Sequence, residues 1–297
     1  MAFIKDLYRD EIRNGYLVTS DIKKVWNRQL EIWQEVDRIC RKHAINYWAA
    51  YGTLLGAVRH KGYIPWDEDF DLCMMRPDFN RFREVVNDEL KGIFEIGQIT
   101  LGLFKIAHSQ TTLIDYIVRK TKPQGLEIDI FVLDIADDSS PEGSLAYKAF
   151  RELLFATGNY EKLLQAVRAG KMNLLNDLDA LKEIFELPDE MSKIKMLAVY
   201  LDGLFNQSSK VAWIQDSINE KANPFDKEWF RETVYLPFET IELPVPVDCD
   251  KILTSFYGDW RTPVNDGNIR LGNFHSADIP WREFLQRVDF ELMLPKK

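Results

Sequence analysis

Acidic residues at short, regular spacing are the part of this sequence best suited to chemistry. Asp69 and Asp71 flank Phe70, at the start of a segment that continues as Leu-Cys-Met-Met. On a β-strand, residues two apart point to the same side, so both carboxylates project together. Two close anions resist ionisation unless a cation lies between them, and Mg²⁺ prefers such oxygen ligands. The spacing predicts a site for Mg²⁺ or Mn²⁺ at Asp69 and Asp71. Asp67 is predicted either as a further metal ligand or as a residue that contacts one of the ligands.

A third carboxylate lies in a later apolar segment. Asp129 stands between Ile128 and Ile130. A carboxylate inside a core strand is costly unless it is paired or bound to a metal. If this strand lies beside the strand predicted at 70–75, we expect Asp129 to join Asp69 and Asp71 in one catalytic, metal-binding cluster.

A glycine turn upstream suits phosphate. Gly52 and Thr53 end a short apolar strand, and a short helix is predicted to follow from Leu54 to Arg59. Glycine lets the backbone approach a ligand, and the first amides of a helix attract anions. We therefore predict Gly52 and Thr53 as phosphate contacts. Arg59 either neutralises the same phosphates or forms a surface salt bridge.

One alternative for the acidic segment is a calcium-binding EF-hand loop. Asp67, Asp69 and Asp71 match its positions 1, 3 and 5. Leu72, however, occupies position 6, where the sharp turn requires glycine, and Pro77 interrupts the expected exiting helix. We therefore reject the EF-hand interpretation.

The elements that must position these residues form an α+β pattern. Apolar spacing predicts a helix over 21–43, a helix from Pro77 and one over 249–257. Strands are predicted over 46–51, 70–75, 93–96, 102–108, 112–118, 126–133, 234–236 and 240–245. We predict three parts: an α/β core with an N-terminal helix (1–140), a helical subdomain (141–222), and C-terminal strands, helix and tail packing on the core (223–297).

Composition narrows the class of protein. The net charge is −9 and no basic patch interrupts it, which argues against nucleic acid as a partner. The three cysteines form no CxxC pair, as is typical of reduced cytosolic thiols. The N-terminus lacks the apolar stretch of a signal peptide, and no apolar segment approaches the roughly 20 residues that span a bilayer. These features predict a cytoplasmic protein.

At these residues the sequence resembles the LicD family, which includes the fukutin-type proteins. The segment 51–71 is similar to the hallmark segment of that family, and 128–131 to its second motif. Residues 257–260, followed by Thr262 and Pro263, are similar to its C-terminal motif. The resemblance implies a nucleotidyltransferase-type fold, a mixed sheet flanked by helices. It also implies that its signature residues are Gly52, Thr53, Asp69, Asp71 and Asp129.

The resemblance further implies a reaction. LicD-type members are associated with transfer of phosphocholine from CDP-choline to cell-surface glycans, and fukutin-type members transfer ribitol phosphate from CDP-ribitol. We therefore expect a Mg²⁺-dependent transferase that moves a phosphorylated alcohol from a CDP-linked donor to a glycan hydroxyl. Acceptors in this family are often lipid-linked precursors, which implies peripheral contact at the inner membrane face. Two alternatives stay open: an enzyme that attaches the nucleotide itself to a small-molecule hydroxyl, and a non-catalytic binding protein on the same fold.

Overall fold

The computed structural model describes residues 4–99, 102–115, 124–136, 208–213, 224–264 and 273–287, together with Ser192 and Phe205. Every structural statement below concerns these residues. Most of the helical subdomain predicted over 141–222 lies outside them.

The first long element is helix α1 over Ser20–His43, which confirms the predicted helix. At its start, the Thr19 hydroxyl accepts a hydrogen bond from Ile22 N at 3.3 Å and so satisfies one free amide of the first turn. The helix ends at Ala44, which adopts the left-handed conformation common at helix C-termini. Its apolar face is buried in the core, through Trp26, Leu30, Ile32, Trp33, Val36 and Ile39.

Seven strands form a mixed sheet with β8 (Glu127–Ile135) at its centre. Strand β4 (Asp71–Met75) runs parallel to β8 along one edge. Along the other edge lie β6 (Leu103–His108) and then β9 (Lys210–Trp213), both antiparallel to β8. β8 has hydrogen-bonded neighbours on both sides, and helix α1 packs against it, with the alternate residues Ile128, Ile130 and Val132 buried. The strand that carries Asp129 is therefore rigidly positioned.

The remaining elements extend the sheet or pack beside it. Further strands of the sheet are β3 (Trp48–Ala49), which pairs with β4, β5 (Phe94–Ile99), which pairs with β6, and β10 (Phe225–Asp226), which pairs with β9. Three antiparallel pairs stand apart: β1 (Glu11–Arg13) with β2 (Tyr16–Val18), β7 (Thr112–Asp115) with β13 (Asn273–Ser276), and β11 (Thr233–Phe238) with β12 (Ile241–Pro246).

The other helices are α2 (Tyr51–Leu55), which continues as a π-helical turn over Gly56–His60, α3 (Arg76–Glu89), α4 (Cys249–Tyr257), α5 (Trp281–Arg287) and a 3₁₀ turn over Lys227–Phe230.

The mixed sheet with its separate helices fits the predicted α+β class. Helix α4 has the predicted bounds and ends at Gly258. Two local assignments were wrong. Lys210–Trp213 is a strand of the central sheet, not part of a helical subdomain, because its apolar residues pair along β8. Helix α2 begins at Tyr51 rather than Leu54, so Gly52 and Thr53 lie in its first turn rather than at the end of a strand.

The domain boundaries at 140 and 222 stay a prediction. No helix in the described part of the chain has the length and apolar character that a bilayer-spanning segment requires.

Candidate active site

Two aspartates lie side by side at the start of the parallel strand pair. Asp71 on β4 is the register partner of Asp129 on β8, and Asp129 N donates to Phe70 O at 3.0 Å. Because hydrogen-bonded strands are about 4.8 Å apart, the two residues are direct neighbours across the sheet. Both line one cavity of about 570 Å³, together with Asp67 and Asp69. The structure thus brings the four predicted metal ligands to one cavity.

Helix α1 holds the loop that carries Asp67 and Asp69. Trp26 Nε1 donates to Asp67 O at 2.8 Å, and Gln29 Nε2 donates to Glu68 O at 2.7 Å. Trp26 and Gln29 are both buried, and hydrogen bonds in such surroundings are stronger than in water. The backbone of this loop is therefore fixed from the helix side, while Asp67 and Asp69 line the cavity.

Gly52 allows Asp67 to approach the first turn of α2. A Cβ atom at position 52 would collide with Asp67 Oδ2, so a larger residue would displace that carboxylate. The neighbouring Tyr51 has φ of 41°, in a left-handed region that residues other than glycine rarely adopt. Conformations of this kind persist only where surrounding contacts impose them, and they cluster at functional sites.

Thr53 is placed differently from the predicted phosphate contact. It is not among the described residues that line the cavity, and its side chain is 3% exposed. Its hydroxyl accepts a hydrogen bond from Asp71 N at 2.8 Å. Thr53 therefore positions the strand that carries Asp71, rather than offering its hydroxyl to the cavity. Gly52 and Arg59, in contrast, both line it.

Arg59 connects the cavity to the C-terminal segment. Its Nη1 donates to Trp260 O at 2.7 Å, and its Nε donates to His60 Nε2 at 2.9 Å. Tyr257, Asp259, Trp260 and Thr262 line the same cavity, so the first and C-terminal sequence motifs meet there. Burial lowers the pKa of Arg59, and no carboxylate of the described residues forms an ion pair with it. The surface salt bridge considered for Arg59 is therefore wrong within this part of the chain.

His60 is the electrically neutral partner of Arg59. Burial and, second to it, the nearby charge of Arg59 together lower the pKa of His60 to about 4. The imidazole is therefore uncharged at pH 7 and accepts the hydrogen bond from Arg59. This arrangement keeps a guanidinium at the cavity without neutralising it.

Lys105 is a site residue that the sequence interpretation missed. Its Nζ lies 3.0 Å from Asp129 Oδ1 and 2.6 Å from Glu127 Oε1. Burial opposes the charged form of this amine, but Asp129 and Glu127 outweigh it and raise the pKa of Lys105. The sequence did contain a signal for Lys105. A lysine inside the apolar strand Leu103–His108 requires a partner, because an unpaired charge is as costly there as it is at Asp129.

A second, smaller cavity of about 100 Å³ adjoins the same carboxylates. Asp69, Asp71 and Asp129 line it as well, together with Glu68, Lys105 and Glu127. The aspartates therefore stand between two cavities and are accessible from both sides. A reaction centred on them has room for one group in the large cavity and for a second, smaller group in the other.

The donor set matches the chemistry of Mg²⁺, but it is not arranged as a preformed cage. Carboxylate oxygens are hard ligands, and Mg²⁺ commonly takes one or two of them together with substrate phosphates. Within the described residues, no group of three or more His, Cys, Asp or Glu side chains is positioned to hold an ion. The carboxylate of Asp129 is instead paired with Lys105. Binding an ion here requires the side chains to turn, and the phosphates of a substrate would supply further ligands.

Comparisons with known proteins agree with this geometry. Residues 44–155 match the family model described as "LicD/FKTN/FKRP, nucleotidyltransferase domain". Over 244 residues, the chain is 26% identical to the lipopolysaccharide cholinephosphotransferase LicD of Haemophilus influenzae. The aligned region covers 78% of this chain and 88% of that protein. It is also 38% identical over 106 residues to an uncharacterized protein of Rickettsia prowazekii, covering 35% of this chain and 38% of that one. The residues that match the family model include Asp67, Asp69, Asp71 and Asp129.

Proposed function

We propose that this chain, which matches the LicD family model over residues 44–155, is a LicD-type phosphotransferase that transfers phosphocholine from CDP-choline to a hydroxyl of a cell-surface glycan precursor. We further assign its core to the nucleotidyltransferase fold and propose that the reaction depends on Mg²⁺, with Mn²⁺ as a substitute. The observation that carries the proposal is the position of Asp71 beside Asp129 in one cavity with Asp67 and Asp69.

The aspartates would hold the metal and the donor together. Asp69, Asp71 and Asp129 would bind the ion, with Asp67 as a further ligand or a partner of one. A bound Mg²⁺ neutralises phosphate charge and stabilises the oxygen that leaves. Gly52 lines the cavity at the start of α2, where its backbone would contact a donor phosphate, and the unneutralised guanidinium of Arg59 suits the same anion. The large cavity is then the donor side of the site.

The acceptor would approach from the smaller cavity. Its hydroxyl oxygen attacks the phosphorus that is bonded to the choline oxygen, and the bond from that phosphorus to the bridging oxygen breaks. CMP leaves, and Asp129 accepts the proton of the attacking hydroxyl. Asp129 lines both cavities, which suits a base that must reach a group entering opposite the leaving CMP. The relative from Haemophilus is named for lipopolysaccharide, which supports a glycan acceptor.

The test is release of CMP from CDP-choline by the purified chain. We expect CMP in the presence of Mg²⁺, a larger yield when a glycan acceptor is added, and none when EDTA removes the metal. Asp88→Asn, on the exposed face of α3, is the matched control and should keep full activity, because Asp88 does not line either cavity.

Two outcomes would overturn the proposal. Release of pyrophosphate from a nucleoside triphosphate, with no CMP from CDP-choline, would identify an enzyme that attaches the nucleotide itself. Absence of both products, together with calorimetric binding of CDP-choline, would identify a non-catalytic binding protein.

A further inference from the structure

The large cavity has an excess of negative charge. Asp67, Asp69, Asp71, Asp129 and Asp259 line it, and Arg59 is the single cation among the described residues of its lining, although Lys105 pairs with Asp129 from the neighbouring strand. A donor diphosphate brings more negative charge, which metal ions and Arg59 can offset. A positive group on the transferred alcohol would find complementary charge here, whereas a neutral polyol would gain nothing from it.

Two aromatic rings form a corner in this cavity. Tyr51 and Phe131 both line it, with ring centroids 4.9 Å apart and ring planes at 73°. Tyr51 is held from behind by Trp213, stacked at 4.2 Å, and by the edge contact with Phe256 at 5.4 Å. The two rings are therefore nearly perpendicular, and neighbouring rings hold that of Tyr51 in place. Rings in this arrangement can contact a compact cation from two directions.

The corner lies close to the point of transfer. Phe131 follows Asp129 by two residues on β8, so both side chains project from the same face with Cα atoms about 7 Å apart. In phosphocholine, only an oxygen and two carbons separate the phosphorus from the quaternary nitrogen. If that phosphorus lies at Asp129, the trimethylammonium group is within reach of the Phe131 ring.

We propose that Tyr51 and Phe131 form the head-group subsite that recognises a quaternary ammonium on the transferred alcohol. This inference rests on the proposed function and names what that site selects. The attraction is that of a cation for the negative faces of two rings, strengthened by the surrounding carboxylates. The rings have no hydrogen-bonding groups to satisfy the hydroxyls of a sugar alcohol apart from the Tyr51 phenol. The subsite therefore separates choline-type donors from alditol-type donors.

The test compares CDP-choline with its carbon isostere, the CDP ester of 3,3-dimethylbutan-1-ol, which has the same shape and no charge. We expect the wild-type chain to prefer CDP-choline by about tenfold or more in kcat/KM for CMP release. Phe131→Leu retains apolar bulk but removes one ring, and we expect the preference to fall to about threefold or less. The ratio is measured on a single enzyme sample, so partial loss of folded protein does not change it.

Phe94→Leu is the matched control. Phe94 on β5 packs against His108 and is not among the lining residues of the cavity, so this variant should keep the wild-type preference. Equal use of both donors by the wild-type chain, or an unchanged preference in Phe131→Leu, would overturn the subsite and leave the transferase proposal intact. Absence of CMP from both donors would overturn the proposed function, and the subsite with it.

Discussion

The two ends of the β4–β8 strand pair have opposite electrostatics. At one end, Asp71 and Asp129 are register partners of like charge that face a cavity. At the other end, one register step beyond Met75 and Leu133, Arg76 forms an ion pair with Asp134 at 2.6 Å. The exposed fractions of these two side chains are 0% and 1%. The strand pair thus has a repulsive pair at one end and, at the other, an attractive pair that joins the first residue of α3 to β8.

This difference separates the residues that serve chemistry from those that fix the register. Like charges side by side are unfavourable for the folded protein and are useful only when a cation binds between them. A buried ion pair contributes little compared with apolar residues, but it specifies which residues lie opposite each other. In β4 and β8 the ion pair favours the register that places Asp71 opposite Asp129. Substitutions at the two ends should therefore affect different properties.

The largest expected effect is on activity, from Asp71→Asn at the cavity end. We expect CMP release to fall by about 10³-fold or more, because the variant loses one charge of the metal-binding set. Its thermal midpoint should be equal to or above that of the wild type, since one repulsive contact is removed. Near-normal turnover in Mg²⁺, or a clear loss of stability, would contradict the inference that the Asp71–Asp129 end serves chemistry while the Arg76–Asp134 end fixes the register.

Next is an effect on stability, from Asp134→Ala at the opposite end. This change leaves the Arg76 guanidinium buried without its partner, and we expect a loss of about 3–5 kcal/mol in the free energy of unfolding. Urea denaturation measures it. The double variant Arg76→Met with Asp134→Leu is the control, and it should recover most of this stability because both charges are gone. If the double variant is as unstable as the single one, the ion pair is not the cause.

A pair of glycines offers a smaller contrast of the same kind. Gly52→Ala collides with the carboxylate of Asp67, which can turn away, so we expect about a tenfold loss of activity with stability nearly unchanged. At Gly56 the added methyl group would lie 2.5 Å from the backbone oxygen of Gly62, which cannot turn away. Gly56→Ala should therefore lower the free energy of unfolding by about 1–3 kcal/mol. CMP release and urea denaturation, measured on both variants, check this; reversed effects would contradict it.

The smallest expected effect is on pH dependence, at His60. The folded protein holds the pKa of His60 at about 4, against an ordinary value of 6.5. As the pH falls from 6.5 toward 4, the unfolded chain takes up a proton that the folded protein refuses, so stability decreases over this window. His60→Gln keeps an acceptor for Arg59 but cannot titrate. Its unfolding free energy should fall less between pH 7 and pH 5 than that of the wild type, and an equal fall would exclude His60 as the origin.

The sequence placed Asp129 with Asp69 and Asp71 for a physical reason, and the structure brings all three to one cavity. Asp129 had to be explained because charged residues are costly in an apolar strand, and the spacing of Asp69 and Asp71 suggested a shared face. Which strands are neighbours was left conditional, because strand order depends on contacts between distant parts of the chain. The β4–β8 pairing settles that condition.

Other features of the site could not be obtained from local patterns. Thr53 was expected at the cavity, but a hydroxyl can serve either a ligand or the backbone, and here it accepts from Asp71 N. The aromatic residues were too numerous for any one to be singled out, and only the structure shows that Tyr51 and Phe131 meet in the cavity. Strand Lys210–Trp213 was assigned to a helix because four residues are too few to show a strand period against a helical background.

The hydrogen bond from Arg59 to Trp260 links positions 201 residues apart. During synthesis, the aspartates and the glycine turn leave the ribosome long before the segment that supplies Asp259 and Trp260. A growing chain can pair β4 with β8 while one side of its donor cavity is still missing. A product that terminates before position 257 would therefore keep the acidic centre but lack the side of the cavity that Tyr257, Asp259, Trp260 and Thr262 provide.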